Sequence, residues 1–216
     1  MPTPLRIAVL ASGRGSNLAA LIAARKAGTL PVDFVLVASD KATAGALRLA
    51  EAADIPTLAL SPKDYPDRPS FDHALFGHLE TSGAELLVLA GFMRVIDAAV
   101  VAEWRGRAIN IHPSLLPKYP GLHTHRRCLE AGDAEHGASV HYVTAELDGG
   151  PVVAQARIPV GAGDTETTLA QRLLVEEHRL LPAVVGAIAS GRLCWNGRAL
   201  FDGRPLAMPL TLAQLS

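Results

Sequence analysis

The sequence predicts an α/β fold in which a doubly wound, mostly parallel sheet carries helices on both faces. The short continuous apolar run Ile7–Ala11 and the mostly apolar run Val32–Ala38 suit strands that are buried on both sides. These runs alternate with helical segments, and the resulting βαβαβ order indicates parallel strands joined by crossover helices. A glycine-containing loop follows the first strand, where such Rossmann-like folds bind anions. At 216 residues, we expect one domain over 1–216.

The composition favours a protein that acts on small molecules. The chain is 49% hydrophobic with a formal net charge of -1, so it can bury a core and has no electrostatic case for nucleic acid as a partner. Its two cysteines, Cys128 and Cys194, show no CxxC pattern, which argues against a disulfide framework and against a zinc site. The first apolar run, Leu5–Leu10, is too short to cross a membrane and lacks a signal-peptide cleavage pattern. We therefore expect a cytoplasmic protein without bound metal.

The first strand leads into the loop Ser12–Asn17 and then into a helix predicted over Leu18–Ala27. A strand, a glycine loop and a helix in this order direct free backbone N–H groups and the helix dipole towards an anion. The loop is neither a dinucleotide fingerprint, because Leu18 stands where the third glycine would be, nor a P-loop. Two interpretations stay open: the loop binds a phosphate, or Ser16 and Asn17 are ordinary helix caps.

The next elements alternate in the same way up to the centre of the chain. They are a helix over Ala42–Ala53, a strand over Ile55–Leu60, a surface loop over Ser61–Ser70, a helix over Phe71–Leu79, a strand over Glu85–Ala90 and a helix over Ala98–Trp104. Arg68 in the proline-containing loop is either a solvated charge or a ligand contact. Met93, Val95 and Ile96 either line an apolar slot for a flat ring or pack on the core.

The stretch Ala108–Gly121 carries the strongest chemical signal. Its first half is a strand, in which residues i and i+2 share a face roughly 7 Å apart. Asn110 and His112 therefore point the same way, while Ile109 and Ile111 pack on the opposite face. An amide and an imidazole at the end of a strand can act together on a developing oxyanion or a leaving nitrogen. The alternative is a turn-capping asparagine and a structural histidine.

The second half completes the sheet and adds a long helix. The predicted elements are a helix over Arg126–Ala131, a strand over Ala138–Val143, a tight turn over Glu146–Pro151, a strand over Val152–Ile158, a helix over Thr168–Ala189 capped by Asp164 or Thr165, and a hairpin after Arg192. The tight turn presents the carboxylate of Asp148. His123 and His125 are poor candidates for metal ligands, because no further residues have ligand-like spacing.

Two of these motifs carry a family resemblance. The run Asn110–Pro117, together with Asp148–Gly150, resembles the folate-dependent formyltransferases. The longer match, which adds Lys118–His125 and Ser12–Asn17, is similar to the members that act on glycinamide ribonucleotide in purine synthesis. The resemblance spans nearly the whole chain. It implies the formyltransferase fold and transfer of a formyl group from 10-formyltetrahydrofolate, as cosubstrate, to the amine of glycinamide ribonucleotide. We expect no room for the added domains of relatives that formylate initiator tRNA or hydrolyse formyltetrahydrofolate.

The resemblance also implies roles for individual residues. The catalytic residues are Asn110, His112 and Asp148. The glycinamide ribonucleotide site comprises Gly15, Ser16, Asn17 and Glu177. The folate site comprises Arg68, Met93, Arg94, Val95, Ile96, Asn110, Val143, Ala145 and Glu146. Residues of about 1–100 form the phosphate-binding half, about 101–190 the catalytic and folate-binding half, and about 191–216 a C-terminal hairpin. Leu174 is apolar where some relatives carry a polar group.

These residue types suit formyl transfer. Attack by an amine places negative charge on the formyl oxygen, to which Asn110 can donate a hydrogen bond. We expect Asp148 to keep His112 protonated, so that His112 can give a proton to the departing folate nitrogen, and Asp148 to accept the proton that the amine loses. Two other functions stay open: a phosphate-binding module without turnover, and a hydrolase in which water replaces the amine. We expect a monomer or homodimer without nucleic-acid or membrane partners.

Overall fold

The computed structural model describes residues 3–215, so Met1, Pro2 and Ser216 of the predicted domain lie outside it. Its strands are β1 (Leu5–Leu10), β2 (Val32–Ser39), β3 (Thr57–Ala59), β4 (Leu86–Leu89), β5 (Ala108–His112), β6 (Glu135–Tyr142), β7 (Val152–Pro159), β8 (Leu193–Trp195), β9 (Ala199–Phe201) and β10 (Arg204–Pro205). Its helices are α1 (Ser16–Lys26), α2 (Gly45–Glu51), α3 (Arg68–Thr81), α4 (Ala98–Glu103), α5 (Thr124–Glu130), α6 (Glu166–Ala189) and α7 (Leu212–Leu215).

The main sheet has seven strands in the order β3-β2-β1-β4-β5-β6-β7. The five strands from β3 to β5 are parallel, whereas β6 pairs antiparallel with β5 and with β7. The prediction of a mostly parallel, doubly wound sheet is therefore confirmed. Because the strand order reverses between β1 and β4, the carboxyl ends of these two strands flank the crevice in which open α/β sheets bind ligands.

Helices cover both faces of the sheet, as predicted. Alternate residues of β1 belong to different cores: Ile7 and Val9 pack with α1, α2 and α6, while Ala8 and Leu10 pack with α3 and α4. Such alternation follows from the two-residue repeat of a strand and requires apolar residues at every buried position. None of the helices within 3–215 is long and apolar enough to cross a membrane.

Helix α3 begins earlier than predicted, so the expectation that Ser61–Ser70 is entirely a surface loop is wrong. The helix begins at Arg68, and the carboxylate of Asp67 accepts a hydrogen bond from the Ser70 N–H at 2.8 Å. Pro69 falls in the first turn, where its missing N–H costs no helical hydrogen bond. A further short 3-10 turn spans Pro62–Asp64. Two prolines of this predicted loop, Pro62 and Pro69, thus lie in the first turns of helical segments.

The C-terminal segment forms a second, three-stranded antiparallel sheet in the order β10-β9-β8. Its two turns contain the Asn196–Gly197 and Asp202–Gly203 pairs. The chain then returns to the main sheet: the Leu210 N–H donates to the Val153 carbonyl at 2.8 Å, and the Leu210 carbonyl accepts from the Gln155 N–H at 2.9 Å. This segment thereby covers part of the outer edge of β7.

A substitution of Gly137 in β6 would test how closely β6 packs against β7 and against the loop after β5. A methyl group at this position would overlap the carbonyl oxygen of Ala156 in β7 and the side chain of Leu115. We expect Gly137→Ala to lower the free energy of unfolding by about 2 kcal/mol or more, because neither the paired strand nor the loop can move freely. Urea denaturation followed by circular dichroism would measure this.

Gly77→Ala is the matched control. Gly77 is exposed within α3, and an added methyl group there meets nothing within 4 Å. Alanine should stabilise this helix by about 0.5–1 kcal/mol. Equal unfolding free energies for the Gly137→Ala variant and the original chain would refute the packing argument.

Candidate active site

The loop between β1 and α1 is shaped by close contact with α2. Gly15 has a φ of 82° and precedes α1, and a Cβ at this position would lie 2.7 Å from the Cα of Ala46. The positive φ and the contact both require glycine. Helix α1 has no side-chain cap, so the interpretation of Ser16 and Asn17 as ordinary caps is wrong. The first N–H groups of the helix remain available to an anion.

The side chain of Asn17 is bound to α6 instead. Its Nδ2 donates to Oε2 of Glu177 at 2.8 Å, and its Oδ1 is buried without a hydrogen-bond partner among the described residues. Burial raises the pKa of the Glu177 carboxyl, although the bond from Asn17 opposes the rise. The amide and the carboxyl thus form a polar pair at the wall of a cavity, with one acceptor unused.

This first cavity lies at the switch point of the sheet. It is lined by Arg14, Asn17, Gly91, Met93, Ile111, Pro113, His125, Glu166, Thr167, Ala170, Gln171, Leu174 and Glu177. The ends of β1 and β4 are held together beside it: the Ser12 N–H donates to the Gly91 carbonyl, and the Met93 N–H donates to Oγ of Ser12, both at 3.0 Å. Met93, predicted for the folate site, lies on this cavity.

Arg14 is a residue that sequence reasoning missed. Its side chain lines both the first cavity and a neighbouring depression that also contains Arg48. Within the described chain its guanidinium makes no hydrogen bond or ion pair. Its position between two glycines of the loop Ser12–Asn17 could have identified it as a candidate ligand contact. An unpaired cation there adds positive charge beside the free N–H groups.

The three predicted catalytic residues meet at the end of β5. Asn110 and His112 share one face of the strand, and the opposite face packs Ile109 and Ile111 into the core, as predicted. Oδ2 of Asp148 lies 3.4 Å from Nδ1 of His112, and both side chains are less than a tenth exposed. The long-range contact that the sequence could not establish is therefore present.

Burial acts against the protonation expected for His112. It lowers the pKa of the imidazole, whereas the hydrogen bond with the Tyr119 carbonyl and the charge of Asp148 raise it. Nε2 donates to that carbonyl at 2.9 Å, which leaves Nδ1 facing Asp148. A proton on Nδ1 therefore lies directly against a carboxylate.

Asp148 remains ionised despite its burial. Burial alone raises its pKa, but contact with His141, the hydrogen bond from the Gly121 N–H at 2.8 Å and the proximity of His112 outweigh this effect. The net pKa lies below the usual carboxyl value. A fixed negative charge thus lies between two imidazoles.

His141 belongs to this cluster and had no predicted role. It lies opposite Asn110 in the antiparallel pairing of β5 with β6, and its Nδ1 donates to the Tyr142 carbonyl at 2.9 Å. Its Nε2 lies between Nδ2 of Asn110, 3.1 Å away, and Oδ1 of Asp148, 3.6 Å away. Asn110 also lines the second cavity described below, where its amide can contact a ligand. Only the strand register brings these residues together, and the sequence alone does not show it.

A second cavity adjoins the predicted catalytic residues and is lined by most of the predicted folate residues. It is lined by Leu89, Phe92, Arg94, Val95, Ile96, Val101, Asn110, His141, Val143, Thr144, Ala145, Glu146, Leu147 and Asp148. Seven of the nine predicted folate residues are among them. Met93 lines the first cavity instead, and Arg68, at the start of α3, lines neither.

A histidine pair, of which His136 is buried and His125 half-buried, lies at the wall of the first cavity. Nδ1 of His125 lies 2.9 Å from Nε2 of His136, and the two rings meet edge to face. His125 lies in α5, which begins two residues before the predicted start. Within 3–215 no three His, Cys, Asp or Glu side chains are grouped as metal ligands.

The fold and the paired cavities define a formyl transferase. A family model described as formyl transferase matches residues 5–185, and the chain belongs to this family. It is 47% identical over 203 residues to phosphoribosylglycinamide formyltransferase of Escherichia coli (strain K12), an alignment that covers 94% of this chain and 96% of that protein.

Solved structures agree with this assignment. Phosphoribosylglycinamide formyltransferase from Coxiella burnetii superposes with a TM-score of 0.90 at 47% identity, over 94% of this chain and 96% of that one. Glycinamide ribonucleotide transformylase 1 from Symbiobacterium toebii superposes with a TM-score of 0.89 at 41% identity, over 93% and 95% of the two chains.

The histidine pair makes stability depend on pH. Burial, with a further contribution from His125, lowers the pKa of His136 from 6.5 to about 4. His136 therefore binds a proton more tightly in the unfolded chain than in the folded chain. The stabilisation of the folded chain by neutral His136 is present above pH 6.5 and is lost as the pH falls towards 4. We expect a loss of about 3 kcal/mol in unfolding free energy over this window.

Chemical denaturation at a series of pH values would measure this loss. His136→Asn should flatten the dependence between pH 6.5 and 4, whereas His73→Gln, which replaces an exposed histidine in α3, should leave it unchanged. If the unfolding free energy changed equally with pH in the original chain and in the His136→Asn variant, another group would be responsible for the pH dependence.

Proposed function

We propose that this formyl transferase moves the formyl group of 10-formyltetrahydrofolate to the amine of glycinamide ribonucleotide, giving formylglycinamide ribonucleotide and tetrahydrofolate in de novo purine biosynthesis. The observation that carries the proposal is the position of Asn110, His112 and Asp148 between the two cavities. Asn110 and Asp148 line the second cavity, while the neighbours of His112, Ile111 and Pro113, line the first. The names of the relatives support the choice of substrate.

The first cavity suits glycinamide ribonucleotide. The N–H groups at Gly15, Ser16 and Asn17 form a phosphate site at the start of α1. Glu177 can accept hydrogen bonds from ribose hydroxyl groups, and the unused Oδ1 of Asn17 offers a further acceptor. Leu174 contributes only an apolar wall.

The second cavity suits the folate. Val95, Ile96 and Val143 offer apolar surface to a flat ring, and the loop with Ala145 and Glu146 forms the opposite side. Arg94 lies at the same cavity and can pair with a folate carboxylate. Met93, which lines the first cavity, and Arg68, which lines neither cavity, complete the proposed set.

The chemistry follows from the arrangement of hydrogen bonds. The amine nitrogen bonds to the formyl carbon, and the carbonyl oxygen gains negative charge, to which the amide of Asn110 donates. The amine then loses one proton, the bond from carbon to the folate N10 breaks, and N10 gains one proton. His112 can hold the proton in transit, because Asp148 stabilises the imidazolium. A cytoplasmic location and a monomeric or homodimeric state stay predictions from the sequence.

The test is turnover of 10-formyltetrahydrofolate, followed by the ultraviolet change on deformylation, with and without glycinamide ribonucleotide. We expect deformylation only with the ribonucleotide, accompanied by formylated product. His112→Ala should lower kcat by about 10²–10⁴-fold while both ligands still bind. His78→Ala, at an exposed position of α3, is the matched control and should keep full activity.

Other outcomes would replace the proposal. Equal deformylation without the ribonucleotide would indicate a hydrolase. Binding of a phosphorylated ligand without any deformylation would indicate a binding module. An unchanged kcat in the His112→Ala variant would remove this residue from the mechanism.

Arg14 should contribute to substrate binding rather than to the chemical step. Its unpaired guanidinium lines the first cavity and can reach the substrate phosphate, a contact made equally in the ground and transition states. We expect Arg14→Gln to raise the KM for glycinamide ribonucleotide about tenfold, with kcat nearly unchanged. The difference in KM between this variant and the original chain should be smaller at high salt, because salt screens the exposed contact between Arg14 and the phosphate.

Steady-state kinetics at low and high ionic strength would measure this effect. Arg198→Gln, which removes another exposed arginine far along the chain, is the control and should leave KM unchanged. A fall in kcat at constant KM for the Arg14→Gln variant would contradict a binding role.

A further inference from the structure

The carboxylate of Asp133 holds two consecutive residues of the loop that follows β5. Its Oδ2 accepts from Nζ of Lys118 and from the hydroxyl of Tyr119, both at 2.8 Å. The two donors differ in character. The Lys118 side chain is 57% exposed, whereas Tyr119 is half-buried and its ring also lies beneath the guanidinium of Arg127, 5.2 Å away.

The backbone just after this contact binds two of the proposed catalytic residues. The Tyr119 carbonyl accepts from Nε2 of His112 at 2.9 Å. The Gly121 N–H donates to Oδ2 of Asp148 at 2.8 Å. The segment Tyr119–Gly121 therefore determines which nitrogen of His112 carries the proton and where the Asp148 carboxylate lies.

The conformation of this segment is not one that the chain adopts without support. Tyr119 has a φ of 56°, in the left-handed region that non-glycine residues avoid. Arg127 Nη1 donates to the Pro120 carbonyl at 2.6 Å, and Ser114 Oγ donates to the Lys118 carbonyl at 2.6 Å. Asp133 accepts the hydrogen bond that fixes the hydroxyl of Tyr119, while Arg127 covers the ring.

We propose that Asp133 is a positioning residue for formyl transfer, acting through the hydroxyl of Tyr119 to hold the Tyr119–Gly121 backbone against His112 and Asp148. The inference rests on the proposed function. Asp133 touches neither cavity that receives the substrates, so its effect must pass through the loop. A small displacement of the loop alters the orientation of His112, and rates of such reactions fall steeply with misplacement.

The test compares Tyr119→Phe and Asp133→Asn with Lys118→Met. The first two remove or weaken the bond to the tyrosine hydroxyl, and we expect kcat to fall about tenfold while the KM of each substrate changes less than about twofold. The double variant should be no worse than Tyr119→Phe alone, because both changes break one contact. Lys118→Met removes only the exposed ion pair and should keep kcat.

A second measurement needs no substrate. In ¹H–¹⁵N spectra of histidine-labelled protein, the Nε2–H signal of His112, assigned with a His112→Asn variant, should be protected in the original chain. It should be lost or shifted in Tyr119→Phe and Asp133→Asn and kept in Lys118→Met. If the original chain fails to formylate the ribonucleotide, the proposed function falls, and this spectrum still decides whether Asp133 positions His112.

Three results would overturn the inference. Unchanged kcat and an unchanged His112 signal in Tyr119→Phe and Asp133→Asn would leave Asp133 with a structural role only, even if the melting temperature fell. An equal loss of kcat in Lys118→Met would show that the loop responds to any change at this contact. A rise in KM at constant kcat would indicate a binding role.

Discussion

The buried charge of Asp148 is the constraint on which the rest of the site depends. A carboxylate that is withdrawn from water must be compensated by nearby donors or cations, and here the compensation comes from separate parts of the chain. His112 ends β5, His141 lies in β6, and Gly121 belongs to the loop between β5 and α5. Binding one carboxylate therefore aligns two strands and a loop. In the proposed reaction, the same charge stabilises a proton on Nδ1 of His112.

Local patterns predicted most of the fold. Continuous apolar runs identified the parallel strands, and the alternation of Ile109, Asn110, Ile111 and His112 correctly assigned the two faces of β5. The predicted elements were wrong where one residue type is favourable in two kinds of structure. Pro69 was interpreted as a loop residue, although a proline in the first turn of a helix is equally favourable. Thr165 was correctly among the predicted caps of α6.

Only those parts of the site that belong to a recognisable sequence motif could be predicted. The contact of Asp148 with His112 joins residues that are distant in the sequence, and no periodicity indicates such a contact. His141 could not be assigned a role without the register that places it opposite Asn110. The protonation of His112 depends on its burial, which is a property of the folded chain rather than of the motif. Asn17 similarly matched the phosphate loop, yet its side chain is bound to Glu177.

The return of the chain at Leu210 has a consequence for self-association. Strands at the edge of a sheet present unpaired N–H and carbonyl groups to which another chain can add. At one edge the short strand β3 limits this risk, and at the other edge Leu210 occupies the hydrogen-bonding groups of Val153 and Gln155. The segment after the small C-terminal sheet thus leaves fewer unpaired groups at this edge with which a second chain could pair.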